Sequence, residues 1–307
     1  VRHVADGDGD GDGDGAARGV CAWTLTEELD TFLAHAGPFL RSRPAQHTVP
    51  LTVTDTLRRR GRRVFGEEPP LFGFLERAGA VRAVCFRTPP RGVHLTTLTP
   101  GEADALAARL AARKERLPGV IGDRDSAAAF AASWQRHTGA TPALHQRRLL
   151  YRLGTLTVPE PLPPGRARVA DASDRGQLAR WYVEFSEEIG DGPAQDPDAW
   201  AGARIAHGGA TLWETPDGIP VAMAGVTPEI AGQVRVAPVY TPARLRRRGY
   251  AGAVTAEVSR AARAAGAQVV LFTNLADPTT NKLYRRLGYR PVAESAEYLF
   301  DQRVIAF

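Results

Sequence analysis

The six residues Arg246-Arg247-Arg248-Gly249-Tyr250-Ala251 constrain the fold of this chain more than any other segment. They stand between an apolar run ending in Pro238-Val239-Tyr240-Thr241 and a stretch from Ala251 to Ala265 in which Ala and Val recur with helical spacing. That order reads as a strand delivered by a tight turn into a helix. The first-turn N–H groups of such a helix lack intrahelical partners, and together with the helix dipole they favour an anion. Gly249 carries no Cβ, so backbone can approach the anion closely, and three guanidinium groups precede it. The turn suits a diphosphate, although a basic helix start without a ligand fits the same six residues.

The residues that follow narrow the choice. After Gly266-Ala267 comes Gln268-Val269-Val270-Leu271-Phe272-Thr273-Asn274, a short apolar run rich in β-branched residues that reads as a buried parallel strand. A second helix then opens with Asp277 as N-cap and Pro278 in the first helical position, and Gly288 supplies a left-handed stop after Leu287. On that helix Asn281 and Tyr284 share a face, and Leu283 and Leu287 share a neighbouring one.

Arg-x-x-Gly-x-Ala with a strand before it and a helix after it resembles the pyrophosphate loop of the GNAT superfamily of acyl-CoA-dependent N-acyltransferases. The string from Asn281 to Tyr289 is similar to the last helix of those enzymes, whose pattern ends in Tyr, three residues, then Gly-Phe or Gly-Tyr. The resemblance covers residues 166 to 307. It implies acetyl-CoA as donor, held by Val239, Tyr240, Thr241, Arg246, Arg247, Arg248, Gly249, Tyr250 and Ala251, with main-chain groups of 239 to 241 against the pantetheine arm. It also implies that Tyr284 is the general acid at sulfur; a phenol pKa of about 10 keeps it protonated at neutral pH. A tyrosine packed in the core is the other reading of that position.

This sequence departs from the family pattern twice. The Asn that many members place seven residues before the Tyr is Asp277 here, which leaves Asn281 or Asn274 to meet the pantetheine arm. The Glu that members often carry on the strand before the loop is missing, and Gln233 to Val239 contains Arg235 instead. Glu187, Glu188 and Asp191, between Trp181 and Trp200, are therefore candidates for the base or for binding a cationic amine, against a reading as a solvated helix end. Asp196 before Pro197 reads as an N-cap, and Glu214 is a distant candidate.

Organisation along the chain repeats. Leu71 to Leu75, Ala80 to Thr88 with Ala78-Gly79 at the turn, Gly92 to Thr99, and a helix from Glu102 to Arg113 have the order of Thr211 to Thr215, Pro220 to Val226 with Asp217-Gly218 at the turn, Gln233 to Thr241, and the helix after the arginines. Leu117 to Ile121 and the helix Ser126 to His137 likewise parallel the later strand and helix. The expected fold is thus α/β: tandem GNAT-like domains, each a mixed central sheet flanked by helices. Where the second copy has arginines, the first has Glu102 and Asp104, which repel a diphosphate, so the N-terminal copy reads as degenerate. The expected boundaries are a disordered Asp/Gly tail (1–19), the degenerate domain (20–158), a Pro-rich linker (159–165) and the catalytic domain (166–307).

Several function classes lose support. Cys21 and Cys85 form no C-x-x-C pair, the seven histidines lack metal-ligand spacing, and the Asp/Gly run lacks the Glu that closes a calcium loop. No apolar run is long enough to span a bilayer and the opening residues lack the regions of a signal peptide, so no membrane partner and a cytoplasmic location are expected. A net charge of +5 fits a polyanionic cofactor or a nucleic acid, and Arg58 to Arg63 is the densest basic cluster outside the loop, most simply a helix end stopped by Gly61. The expected activity is transfer of an acetyl or other short acyl group from acyl-CoA to a primary amine of a small molecule or peptide, by direct attack in a ternary complex. The alternatives are a tRNA-dependent aminoacyltransferase on the same fold, and a non-catalytic CoA-binding module.

Overall fold

The computed structural model describes residues 22–190 and 192–301; the Asp/Gly tail, Cys21 and Asp191 lie outside the described residues. The first half runs β1 (Trp23–Thr26), α1 (Leu29–Ser42), α2 (Thr48–Arg60), β2 (Leu71–Arg77), β3 (Ala80–Arg87), β4 (Val93–Leu95), α3 (Pro100–Ala112), β5 (Gly119–Asp123), α4 (Arg124–Thr138) and β6 (Thr141–Leu153). The second half repeats that order as β7 (Arg166–Val169), α5 (Arg175–Glu188), α6 (Pro197–Ala206), β8 (Ala210–Glu214), β9 (Pro220–Val226), β10 (Gln233–Tyr240), α7 (Tyr250–Ala264), β11 (Gln268–Asn274), α8 (Pro278–Arg286) and β12 (Tyr289–Asp301). No helix among the described residues is long and apolar enough to cross a membrane.

Local chemistry explains the boundaries. Ala78 and Gly79 (φ +51° and +75°) make the first hairpin turn, and Gly218 (φ +77°) serves the second. Asp277 accepts hydrogen bonds from the N–H groups of Thr279 and Thr280 to open α8, and Gly288 (φ +95°) closes it; a Cβ there would lie 1.8 Å from the Thr155 carbonyl oxygen. Strand β4 is shorter than its sequence suggests. The Thr96 N–H still donates to the Val84 carbonyl, but the Val84 N–H is taken by the Thr96 hydroxyl in place of its carbonyl, and the ladder ends there.

The two copies do not keep separate sheets. One twelve-stranded mixed sheet runs β1-β2-β3-β4-β5-β12-β6-β11-β10-β9-β8-β7. Each half gives its last strand to the other: β12 pairs with β5, β6 pairs with β11, and the two lie side by side along their whole lengths. The 159–165 segment therefore divides the sequence but not the sheet. Nor is it a loose tether, because the Pro164 carbonyl accepts from the Trp213 indole at 3.3 Å and Pro163 packs beside Gly249.

Helices cover both faces. On one, α3 and α4 bury Leu95, Val120 and Phe300, while α7 and α8 bury Tyr151, Val269 and Tyr289. On the other, α1 and α2 cover Phe72 and Phe86, α5 and α6 cover Leu212 and Met223, and Ala45 reaches Leu150 and Val270 of the shared centre. Burying aliphatic and aromatic side chains of this size stabilises by about 1.5 to 3 kcal/mol each before entropy is set against it.

Candidate active site

Parallel pairing of β10 with β11 stops at Arg235 and Val270. A register shift between Val236 and Val239 in the pairing with β9 turns β10 away, and a notch opens between the two parallel strands. Val239 and Tyr240 pair with β9 on one side, so their other edge faces the notch. The Tyr240 ring itself leaves it, packing near Trp181 and donating its hydroxyl to Glu184 at 2.8 Å. Burial, with Glu184 beside it, pushes that phenol up to about 12. Thr241 is buried and its hydroxyl has no partner among the described residues.

The turn beyond the strand has the form the sequence suggests. Arg247 (φ +61°) and Gly249 (φ +87°) are both left-handed, and α7 starts at Tyr250 with no side chain capping it. Among the described residues no main-chain N–H from Arg247 to Gly252 donates to a protein acceptor, whereas Arg246 and Ala253 on either side do. Such a run of open donors at a helix N-terminus is the kind of turn that suits an anion. Arg247, Gly249, Tyr250 and Ala251 line the cavity; Arg248 is exposed and off it. The residues present fit a diphosphate group.

In the first copy the matching turn is closed by side chains. Thr99 caps α3, and the Glu102 carboxylate bonds the Thr99 N–H at 2.7 Å in a full capping box. An acid thus sits where the second copy leaves its donors open.

On α8, Tyr284 is buried with its ring edge-on to Tyr289 at 5.8 Å. It lines the cavity, and no described residue hydrogen-bonds its hydroxyl. Burial raises its ionisation well above the usual phenol range, so it is a neutral donor. Asn281 is a correction to the sequence reading. Its Oδ1 accepts from Tyr151 (3.0 Å) and Thr273 (2.7 Å), and its Nδ2 donates to the carbonyls of Asn274 (2.9 Å) and Asp277 (2.6 Å). That amide is spent on tying β6, β11 and α8 together and lies off the main cavity. Asn274 does line the cavity, with Oδ1 accepting from the Ala276 N–H.

The acidic candidates also need correction. Glu187 is exposed and does not reach the cavity. Glu188 reaches it but is ion-paired with Arg246, whose Nε also bonds the Thr241 carbonyl. Glu214 is buried against Arg168 at 2.8 Å, far from the notch, and Asp196 caps α6. Sequence reasoning missed Glu184, whose only signal is its i, i+4 spacing with Glu188 on α5.

The notch opens through the sheet into a cavity of about 2030 Å³ lined by both halves. Its inner floor is the face opposite α7. Val234 and Val236 pack with α7, so Arg235 between them points the other way; His94, between the buried Val93 and Leu95, does the same. Above that floor, Arg204 of α6 lies 5.6 Å over the Trp200 ring and donates to the carbonyls of Val226 and Ala237. Arg58 and Arg59 are held by Asp55, Arg60 by Gln195, Arg62 by Glu28 and Arg63 by Glu67, so the basic run is largely compensated within the protein.

Comparisons with known proteins agree with this fold. A family profile described as FR47-like protein matches residues 231–299, from just before β10 into β12. No curated protein matches the chain. Among solved structures, an acetyltransferase from the GNAT family of Colwellia psychrerythraea is 14% identical, with 91% of this chain and 100% of that one covered and a TM-score of 0.57. A GCN5-related N-acetyltransferase from Kribbella flavida is 22% identical over 86% and 97% of the two chains, with a TM-score of 0.55. A tandem GNAT protein from the clavulanic acid biosynthesis pathway is 12% identical over 90% and 98%, with a TM-score of 0.54. At these identities the likeness is one of architecture: the chain has the tandem GNAT fold.

Proposed function

We propose that this chain, built on the tandem GNAT fold, is an acyl-CoA-dependent N-acyltransferase that moves an acetyl or other short acyl group to a primary amine within a ternary complex. One observation carries the reading: the N–H run from Arg247 to Gly252 and the hydroxyl of Tyr284, none of which has a partner among the described residues, belong to residues around one cavity. When bound, an acyl-CoA supplies an activated thioester carbonyl. The amides of 247 to 252, with Arg247 beside them, hold its diphosphate; a charge-assisted bond contributes on the order of 1.5 to 3 kcal/mol. The free edge of Val239 to Thr241 orients the pantetheine arm and polarises the carbonyl.

Tyr284 stabilises charge developing on sulfur by donating its Oη–H as the carbon–sulfur bond breaks. The proton that the thiolate gains is balanced by the one the amine loses after forming the new carbon–nitrogen bond. With no free carboxylate among the described residues at the notch, water takes the proton that an ammonium acceptor must lose before attack. Burial, then the charges of Arg235, Arg148 and His47, hold His94 down to about 3, and the same environment disfavours an ammonium in the cavity.

Titration of the protein with acetyl-CoA in a calorimeter tests the first half of the reading. Micromolar binding that Gly249→Trp abolishes is expected; an unchanged isotherm in the variant removes the anion turn from the site. Thiol release from acetyl-CoA across a panel of amines tests the second half. Binding without release from any amine would leave a CoA-binding module.

A further inference from the structure

The deep end of the cavity takes no part in holding the thioester, yet it concentrates positive charge. Arg235 has no carboxylate partner among the described residues, and its Nη1 is closed off from solvent without any acceptor. Arg204 is satisfied by main-chain carbonyls and the Trp200 ring, none of which carries negative charge. His94 stacks on Phe86 at 5.0 Å and leaves Nδ1 occluded and unpartnered. The carboxylates that line the cavity are committed elsewhere: Asp55 to Arg58 and Arg59, Glu188 to Arg246, Glu294 to Arg147 and Arg124, Glu297 to Arg148, and Asp123 and Asp277 to the N-termini of α4 and α8. Burial pushes the Arg235 guanidinium down to about 10, and burial with Arg235 nearby does the same to Arg204. Two neighbouring half-buried guanidinium groups without a counter-ion among the described residues are costly, and a ligand that supplied the missing charge would offset that cost.

We infer that Arg235, backed by Arg204, is the seat of an oxyanion carried by the acceptor: the substrate is an amine that bears a carboxylate or a phosphate at its far end. This rests on the transferase reading and specifies its acceptor. Geometry sets the size. Strand β10 runs from Arg235 to the notch at Val239, four residues or roughly 13 Å at about 3.3 Å each, and the arginine side chain spans part of that. An amino acid, a small dipeptide or a phosphorylated amine bridges the remainder. Polyamines and other purely cationic acceptors meet the burial and the positive charge that together keep His94 neutral.

Matched acceptors test this. Thiol release from acetyl-CoA is compared for an amino acid against its carboxamide, and for phosphoethanolamine against ethanolamine. In the unaltered protein, kcat/KM for the anionic member of at least one pair should exceed that of its neutral counterpart by at least about 30-fold, the discrimination expected when a buried charge pair is completed. The favoured pair identifies carboxylate or phosphate. Arg235→Met should bring that ratio to within about threefold of unity while leaving the calorimetric Kd for CoA within twofold. A second readout needs neither turnover nor the variant: glutarate, but not glutaramide, should raise the melting temperature of the protein, with or without CoA. Ratios near one in the unaltered protein, a preference that survives Arg235→Met, or equal response to glutarate and glutaramide would overturn the proposal. Loss of CoA binding and of all thiol release sinks the transferase reading instead, and the glutarate comparison still decides the anion seat.

Discussion

Removing the hydroxyl of Tyr284 separates chemistry from architecture, because that oxygen has no partner among the described residues. Tyr284→Phe keeps the ring and its edge-on packing against Tyr289, so unfolding free energy should change by less than about 0.5 kcal/mol. Affinity for acetyl-CoA should hold as well, since the anion turn is untouched. Turnover should fall by about 10²- to 10⁴-fold, equivalent to about 3 to 5 kcal/mol in the barrier. Two sister variants calibrate the result. The Tyr289 hydroxyl shares a 2.7 Å hydrogen bond with Ser259, and that of Tyr151 donates to Asn281 at 3.0 Å; both are buried. Tyr289→Phe and Tyr151→Phe should each cost about 1 kcal/mol of stability and little activity. Urea denaturation, acetyl-CoA titration and single-turnover thiol release on the three proteins give the comparison. Near-normal turnover in Tyr284→Phe, or equal losses in turnover and affinity, would refute the reasoning.

Glu188→Gln should change turnover less than about threefold and tighten acetyl-CoA binding, because it frees Arg246 from its ion pair; a loss of a hundredfold in turnover would restore Glu188 as the base. Between pH 6.5 and about 3 the unfolded chain binds a proton that His94 refuses in the fold, so its contribution makes stability fall as pH drops through that window, by up to about 1.4 kcal/mol per pH unit. His94→Phe should flatten that slope in denaturant unfolding measured from pH 7 to 4.5. Residues 22–158 and 166–301 produced separately should each fail to give dispersed amide spectra, while co-production should recover them, because each fragment lacks its partner's last strand.

How much was legible before the structure depended on the range of the interactions involved. The arginine turn, the Asp277 cap and the Gly288 stop are set by neighbours in sequence, and each appears where its residue chemistry places it. The repeated order of elements was equally readable, since turn residues and hydrophobic periods mark each element locally. The exchange of β6 and β12 was not. Pairing Gly119–Asp123 with Ser295–Leu299 leaves no local signature, and either strand would alternate in the same way beside a different neighbour. Side-chain assignments failed for a related reason. Asn281 shares the helical face its spacing predicts, yet Tyr151 and Thr273, brought in from distant segments, claim its amide. Glu188 looked free until α5 set it beside Arg246.

The notch between β10 and β11 passes from one side of the sheet to the other. Under the proposed transferase reading, a donor held at α7 and an acceptor over Arg235 would lie on opposite faces of the sheet, and either could arrive first. Initial-rate plots should therefore intersect rather than run parallel, and an acetylated product can depart while the spent donor is still in place.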